Sequence, residues 1–174
     1  MYFAGGVSSL LFLPAMSDKK GRKWIIYFSV VLQLGFCTYM YFTHSLIGVI
    51  VSMYFIGFFA TGHATILYIY VSELIPEGYR TFYGTLSNIC DGGTMIWASI
   101  YFYYVPYWKP LFLAILAIHV VIIIGLLFIP ESPIVLYENC RFNESRKVFA
   151  KIAKANGVKD FNQDFQFDTE AEMK

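Results

Sequence analysis

The sequence has 174 residues, of which 57% are hydrophobic, 20% aromatic and only 14% charged, and its formal net charge is +1. A soluble domain carries about a quarter charged residues, so this composition argues against an ordinary cytosolic enzyme and excludes a disordered chain. The small net charge provides no basic field to attract nucleic acid. Three cysteines without a C-x-x-C spacing exclude a disulfide scaffold and a structural zinc site.

Apolar stretches fill most of the chain up to Pro130. A spanning helix needs about 20 mostly apolar residues, because the hydrocarbon core is about 30 Å thick and each residue rises about 1.5 Å. Four segments reach that length. A shorter fifth one, at the start, lacks the basic region and cleavage site of a signal peptide. The sequence therefore predicts an all-α membrane protein with about five transmembrane helices over 1–130: Tyr2–Met16, Trp24–Phe42, Leu46–Ser72, Thr81–Tyr104 and Trp108–Ile129.

Lysine and arginine concentrate in the loops on one side of these segments, and that side is expected to face the cytosol. Twelve of the 13 basic residues lie in the loop 17–23, at Arg80 or after Pro130, whereas Lys109 alone lies on the opposite side. An odd number of spans places the two termini on opposite faces. We therefore expect the N-terminus outside and the C-terminus in the cytosol or an equivalent compartment.

The chain changes from apolar to polar after its last apolar segment. Ser132 followed by Pro133 is typical of a helix N-cap and first turn, and Asn143 is expected to cap a second helix, Glu144–Ala155. Helical spacing places the apolar residues of this helix on one face and its lysines on another, as in helices that lie on a membrane surface. We predict short amphipathic cytosolic helices over 131–157 and a mobile acidic tail over 158–174.

Three short motifs occur in the segments predicted to face the cytosol. The first loop reads Asp18-Lys-Lys-Gly-Arg-Lys23, the loop after the third span reads Ser72-Glu-Leu-Ile-Pro-Glu-Gly-Tyr-Arg80, and the last span is followed by Pro130-Glu-Ser-Pro133. In this order and spacing they resemble the major facilitator superfamily, in particular its sugar porter and organic cation/anion transporter branch. The resemblance extends over about residues 5–157 and corresponds to helices two to six of the N-terminal half of such a transporter.

The charged residues of these motifs are suited to one cluster at the membrane face. Gly21 relieves the backbone in a tight turn, and the guanidinium of Arg22 can fork onto carboxylates. The resemblance implies a cytoplasmic gate, which holds helix ends together and releases them when the bundle rocks. We predict a gate network of Asp18, Gly21, Arg22, Glu73, Arg80 and Glu131, and we interpret Lys19, Lys20 and Lys23 as solvated charges that only fix the topology.

The sequence departs from the family pattern at three positions. Pro14 stands where the family usually has glycine, Ile134 follows Pro133 where an arginine is usual, and Thr81 replaces a usual glycine. The isoleucine removes one gate cation. These departures weaken the expectation of a fully working gate.

Polar residues within the spans are candidates for a substrate path. Asp91 is the only acid there, and an ionised group at a helix centre costs at least about 2.5–3.5 kcal/mol, so it is expected to face the bundle with a partner. Asn88 lies on the same face and matches a substrate-binding glutamine of sugar porters, whereas Asp91 matches an apolar position. His63 is a third candidate, although one interhelical hydrogen bond in a stretch of small residues explains it better.

No catalytic constellation or nucleotide-binding loop occurs, so we predict neither an enzyme nor a cofactor or metal site. Two functions stay open. The chain is either half of a transporter for a small organic ion or sugar, not transport-competent alone and completed by a second half or a homo-oligomer, or a non-transporting accessory subunit. In the latter case a degenerate transporter half is embedded in a larger membrane complex. Both hypotheses imply the lipid bilayer and other membrane helices as partners.

Overall fold

The computed structural model describes residues 1–155 and 157, and these residues form helices joined by short turns. Each of the five long helices overlaps a segment predicted from the apolar pattern. The predicted acidic tail over 158–174 lies outside the described residues. The helices are α1 (Tyr2–Lys20), α2 (Arg22–Phe42), α3 (Leu46–Leu74), α4 (Glu77–Tyr104), α5 (Trp108–Phe128), α6 (Pro133–Glu138) and α7 (Phe142–Ala155).

The prediction of five membrane-spanning helices is confirmed for three of them. Among the described residues, α2, α3 and α5 are long and apolar enough to cross a membrane. The helices α1 and α4 have 19 and 28 residues but fall short in hydropathy. Glycine, serine and charged residues lower the hydropathy of these two helices. The charged residues include Asp18 in α1 and Asp91 in α4. Five spans were predicted from length and the absence of long polar runs, a criterion that is too permissive for these two helices.

Helix α1 lies alongside α3 in very close contact, and glycines make this approach geometrically feasible. A Cβ atom on Gly5 would collide with the main-chain carbonyl of Tyr54, and one on Gly57 would collide with that of Tyr2. Ser9 and Ser52 are fully buried. Small residues of this kind let two backbones approach in a membrane, where van der Waals packing replaces the hydrophobic effect as the main attraction between helices.

The helix α2 runs antiparallel to both α3 and α5, which gives the bundle two distinct ends. Its first turn meets the last turns of α3 and α5, as the contacts of Arg22 and Lys23 described below show; we call this the cluster end. At the other end, the aromatic end, Tyr41 packs against Trp108 and Phe112 with ring centroids 6.2 and 6.3 Å apart. Lys109 lies there, about 30 Å along α2 from the cluster end, since each residue rises about 1.5 Å.

The largest group of buried apolar side chains lies beneath the cluster end. It combines residues from the late part of α1, the early part of α2, and the late parts of α3 and α5: Leu13, Ile25, Ile26, Val30, Ile66, Tyr70 and Leu126. Ile66 is completely buried. The charged residues at the cluster end therefore rest on a packed apolar layer, which limits the access of water to them.

Helix α4 is the least packed of the long helices. None of its residues is buried, and its contacts with α3 include the stacked rings of Tyr68 and Tyr83, with centroids 5.6 Å apart. The described residues therefore leave nearly the whole surface of α4 open to lipid, water or further helices.

The polar segment after α5 forms two helices, with one difference from the prediction. Ser132 is the N-cap residue of α6 and Pro133 lies in its first turn, as predicted. Asn143 does not cap the following helix, because α7 already begins at Phe142. The Asn143 side-chain oxygen instead accepts a hydrogen bond from Arg146 Nη1 at 2.9 Å. The helix is amphipathic as predicted, with exposed lysines and the buried side chains of Ser145 and Ala153.

Replacing Gly57 with alanine is expected to destabilise the chain in detergent by about 1–3 kcal/mol, the usual cost of overpacking. The added methyl group would meet the Tyr2 backbone, which cannot rotate away as a flexible side chain could. Gly35→Ala in α2 is the matched control, since a Cβ there meets nothing within 4 Å. Thermal unfolding followed by circular dichroism measures both variants. Equal melting temperatures would contradict the close α1–α3 packing.

Candidate functional site

Arg22 and Glu73 form a buried ion pair between the start of α2 and the end of α3. Arg22 Nη2 lies 2.6 Å from Glu73 Oε1, and the two side chains are only 9% and 13% exposed. Asp18 Oδ1 is a second partner at 3.5 Å, but its side chain is 60% exposed. Salt screens exposed charges far more than buried ones, so the contact with Glu73 dominates.

Ser132 extends this ion pair to the segment that follows α5. Its hydroxyl donates a hydrogen bond to Glu73 Oε2 at 2.7 Å, and Ser132 is completely buried. The sequence placed Ser132 correctly at the N-cap of α6 but gave no sign of this contact. Its hydroxyl makes no capping hydrogen bond. No local pattern could reveal it, because Glu73 is 59 residues earlier in the chain.

Glu131 binds the first turn of α2. Its Oε1 accepts hydrogen bonds from the backbone N–H of Lys23 at 3.0 Å and of Ser132 at 3.1 Å. A carboxylate at this position satisfies a free N–H group and offsets the positive end of the helix dipole. Glycine is required at Gly21, whose φ is +99° and where a Cβ would lie 2.7 Å from Glu131 Oε2.

Two further contacts hold the end of α5 against its neighbours. The ammonium group of Lys23 donates to the carbonyl of Leu127 at 3.1 Å, a favourable position for a cation at a helix C-terminus. The hydroxyl of Tyr70 in α3 donates to the carbonyl of Pro130 at 2.8 Å. Lys23, interpreted from the sequence as a solvated topological charge, therefore also has a structural contact.

Arg80 is the member of the predicted network that the structure leaves apart. Its guanidinium is half exposed and lies 3.8 Å from Glu77 Oε1. Its Nε donates to the main-chain carbonyl of Ser72 at 3.1 Å. Arg80 thus contacts the end of α3 next to Glu73 without touching a carboxylate of the network. The carboxylate that Arg80 does contact belongs to Glu77, which is three residues earlier in its own helix.

We define the polar cluster as Asp18, Gly21, Arg22, Glu73, Glu131 and Ser132. It connects the junctions α1–α2, α3–α4 and α5–α6 at one end of the bundle. Nε and Nη1 of Arg22 are buried and have no hydrogen-bond partner among the described residues. A buried donor without a partner costs about 1–3 kcal/mol, and more when it is charged. The Arg22 guanidinium can therefore donate hydrogen bonds to a further acceptor.

The three substrate-path candidates lie on two different helices. Asn88 and Asp91 are exposed on α4, and the Asn88 amide donates to the carbonyl of Gly84 in its own helix at 3.0 Å. His63 is partly buried on α3, where a ring nitrogen lies 2.7 Å from the carbonyl of Phe59. Within the described part of the chain, no hydrogen bond or ion pair connects His63 with Asp91. Their role in a substrate path stays a prediction.

The sequence matches the family model "Sugar (and other) transporter" over residues 1–174. The chain belongs to this transporter family. The family is part of the major facilitator superfamily, so the resemblance of the three motifs is confirmed. Members of the family are transporters, and the chain's relatives are named as transporters and not as enzymes.

Three relatives illustrate how much of a family member this chain represents. It is 26% identical to the human organic cation/carnitine transporter 2 and covers 28% of that protein. It is 26% identical to a Drosophila melanogaster organic cation transporter protein, covering 30%, and 25% identical to mouse solute carrier family 22 member 4, covering 29%. The matches include 91%, 95% and 91% of this chain. The chain thus spans less than a third of the length of these relatives.

Glu73→Gln is expected to destabilise this transporter-family chain by about 3–5 kcal/mol, because it leaves the buried Arg22 guanidinium without its charged partner. The matched control is Glu144→Gln. Glu144 also lies 2.6 Å from an arginine, Arg141, but the two side chains are 51% and 57% exposed, and exposed pairs contribute about 0–1 kcal/mol.

Chemical denaturation in detergent micelles measures the difference between these two variants. A loss of equal size in both would show that Arg22 and Glu73 are not shielded from solvent. The comparison is informative because the shortest N–O distance is 2.6 Å in both pairs, whereas the exposure of the side chains differs strongly.

Proposed function

We propose that this chain is part of a major facilitator transporter for small organic ions, and that its polar cluster fastens helix ends at the cytosolic face. The buried contact of Arg22 with Glu73, extended by Ser132 and joined by the Glu131 cap on α2, is the observation that supports this proposal most strongly. Three helix junctions far apart in sequence converge there. A cluster of this kind suits a transporter whose helix ends must separate and rejoin.

The energetics of a buried ion pair support a gating role. Breaking such a pair costs several kcal/mol if a partner is left buried, but less if both groups move into water together. Rocking of the bundle admits water to the helix ends, so the pair can open when the cytosolic side opens. Glu131 and Gly21 give the turn between α1 and α2 a fixed geometry around which such movement can occur.

Organic cations are the substrate class that we favour, with sugars as the alternative. Support comes from the printed names of the relatives, which refer to organic cations and carnitine. Asp91 supplies a carboxylate suited to a cation, and an acid placed at membrane depth is stabilised by such a partner. Asn88, three residues earlier, supplies an amide that can orient a polar group of the substrate.

Further helices complete the transport path in this proposal. The chain spans less than a third of its relatives, and α4, which carries Asn88 and Asp91, has no buried residue. Transporters of this superfamily bind substrate near the bilayer midplane between repeats. We propose that the exposed side of α4 faces such a path, and that the completing helices belong to the same longer protein or to a second chain.

The orientation proposed for the bundle follows from its charges. The cluster end carries most of the basic residues, whereas Lys109 lies at the aromatic end, and cytosolic loops carry an excess of lysine and arginine. We propose that the cluster end, with α6 and α7, faces the cytosol and that α1 begins toward the opposite face.

Single cysteines at Lys20, Lys109 and Lys151, introduced after Cys37, Cys90 and Cys140 are replaced by serine, test this orientation. A membrane-impermeant maleimide applied to intact cells is expected to label position 109 only. Positions 20 and 151 are expected to react after the membrane is permeabilised. Labelling of positions 20 and 109 from the same side would contradict the proposal.

Uptake measurements test the transport function. In cells that produce the protein containing this chain, saturable uptake of a labelled quaternary ammonium cation is expected, and Asp91→Asn is expected to lower it at least about tenfold, the effect of losing about 1.4 kcal/mol of binding. A labelled hexose distinguishes the sugar alternative.

Uptake into liposomes and co-purification distinguish a transporter from an accessory subunit. Liposomes with the purified chain alone are expected to show no saturable uptake, because the completing helices are missing. Absence of uptake in cells, together with co-purification of the chain in a fixed ratio with other membrane subunits, would contradict transport and favour the accessory role.

A further inference from the structure

A cleft of about 790 Å³ lies at the cluster end, between the α1–α2 turn and the helices α6 and α7. Lys19 and Lys20 line it on one side, and Arg141 and Lys147 line it on the other. Trp24, at the start of α2, lies at the cleft and is 55% exposed. We call this cavity the basic cleft. Its volume lies in the range of about 300–1,000 Å³ that is usual for small-molecule sites.

Three of the four cations that line the basic cleft have no ion-pair partner among the described residues. Among the described residues, the ion pairs include Arg141 with Glu144 but none of Lys19, Lys20 and Lys147. The other acid in the cleft, Glu131, already accepts two backbone hydrogen bonds. Three lysines that converge on one cavity from two separate parts of the chain repel one another, and an anion with several charges would relieve that repulsion.

We propose that the basic cleft binds the phosphorylated headgroup of an anionic membrane lipid. The proposal rests on the cytosolic orientation of the cluster end given above, because anionic lipids are concentrated in the cytosolic leaflet. The cleft lies where the candidate span α2 begins and the candidate span α5 finishes. In the proposed orientation this is the level of the lipid headgroups. Trp24 is suited to that interface, because the amphipathic ring of tryptophan is commonly found at the level of the headgroups.

The position of the cleft beside the bilayer favours a lipid over a free phosphate compound. Val135, Leu136 and Val148 line the cavity together with the lysines. A lipid headgroup enters such a cavity while its acyl chains stay in the bilayer, so it is already concentrated beside the cleft. Lys19 and Lys20 then contribute to ligand binding in addition to fixing the topology.

Binding of a fluorescent short-chain phosphatidylinositol bisphosphate to the purified full chain in neutral detergent micelles tests the proposal. Fluorescence anisotropy gives the dissociation constant, and phosphatidylcholine is the neutral competitor. Micelles have no sidedness, so the result does not depend on orientation or on transport, and failure here is distinguishable from failure of the proposed function.

The variant for this test replaces Lys19, Lys20 and Lys147 with glutamine. Removing one lysine near such a headgroup is expected to weaken binding about fivefold, and removing all three about 100-fold. The matched control replaces Lys109, Lys151 and Lys154, which removes the same charge outside the cleft and is expected to change binding less than about threefold. A variant with arginine at Lys19, Lys20 and Lys147 is expected to retain binding. This result would show that replacing these three side chains does not by itself unfold the site.

Three results would overturn the proposal. Unchanged binding in the glutamine variant would show that the cleft lysines are not involved. An equal loss in the control variant would show non-specific attraction by net charge. Equal affinity for soluble inositol trisphosphate and for the lipid would identify the ligand as a soluble phosphate compound.

Discussion

The buried contact between Arg22 and Glu73 is the interaction on which the arrangement of this bundle depends. It lies on an apolar layer that includes Ile26 and Tyr70, and only 9% and 13% of the two side chains is exposed. A buried charge that loses its partner is strongly destabilising, although a buried pair itself adds little over an apolar alternative. The pair therefore specifies which helix ends meet more than it increases the total stability.

Two kinds of helix contact coexist in this chain and suit different roles. The α1–α3 contact depends on Gly5 and Gly57, because a Cβ at either position would collide with the backbone of the other helix, so these two helices form a closely packed pair. In contrast, α4 has no buried residue and carries the polar candidates Asn88 and Asp91. A closely packed pair beside a helix with no buried residue is an arrangement compatible with the proposal that substrate binds at the boundary between two parts of a transporter.

The sequence predicted the long helices well because their apolar runs end at polar or proline residues, as at Thr43 and Pro76. It failed where the answer depends on residues far apart in the chain. Ser132 donates to Glu73 only because the segment before α6 meets the end of α3. Arg80 differs, because its partners are local: its Nε donates to the carbonyl of Ser72 across the α3–α4 turn, and its carboxylate partner is Glu77, three residues away. The two excess spans come from giving too little weight to glycine, serine and charge, and Asn143 lies two positions after the residue that precedes α7, which is Arg141.

The polar cluster and the basic cleft share one residue, Glu131, and this creates a physical relation between them. Its carboxylate caps α2 on one side and lines the cleft on the other. A phosphate in the cleft adds negative charge beside Glu131, which is tolerable only because Lys19, Lys20 and Lys147 surround it. Movement of α6 and α7 would carry Lys147 away from the α1–α2 turn and weaken that compensation. In these two proposals, opening of the helix ends would weaken ligand binding in the cleft, because both depend on the same few charges.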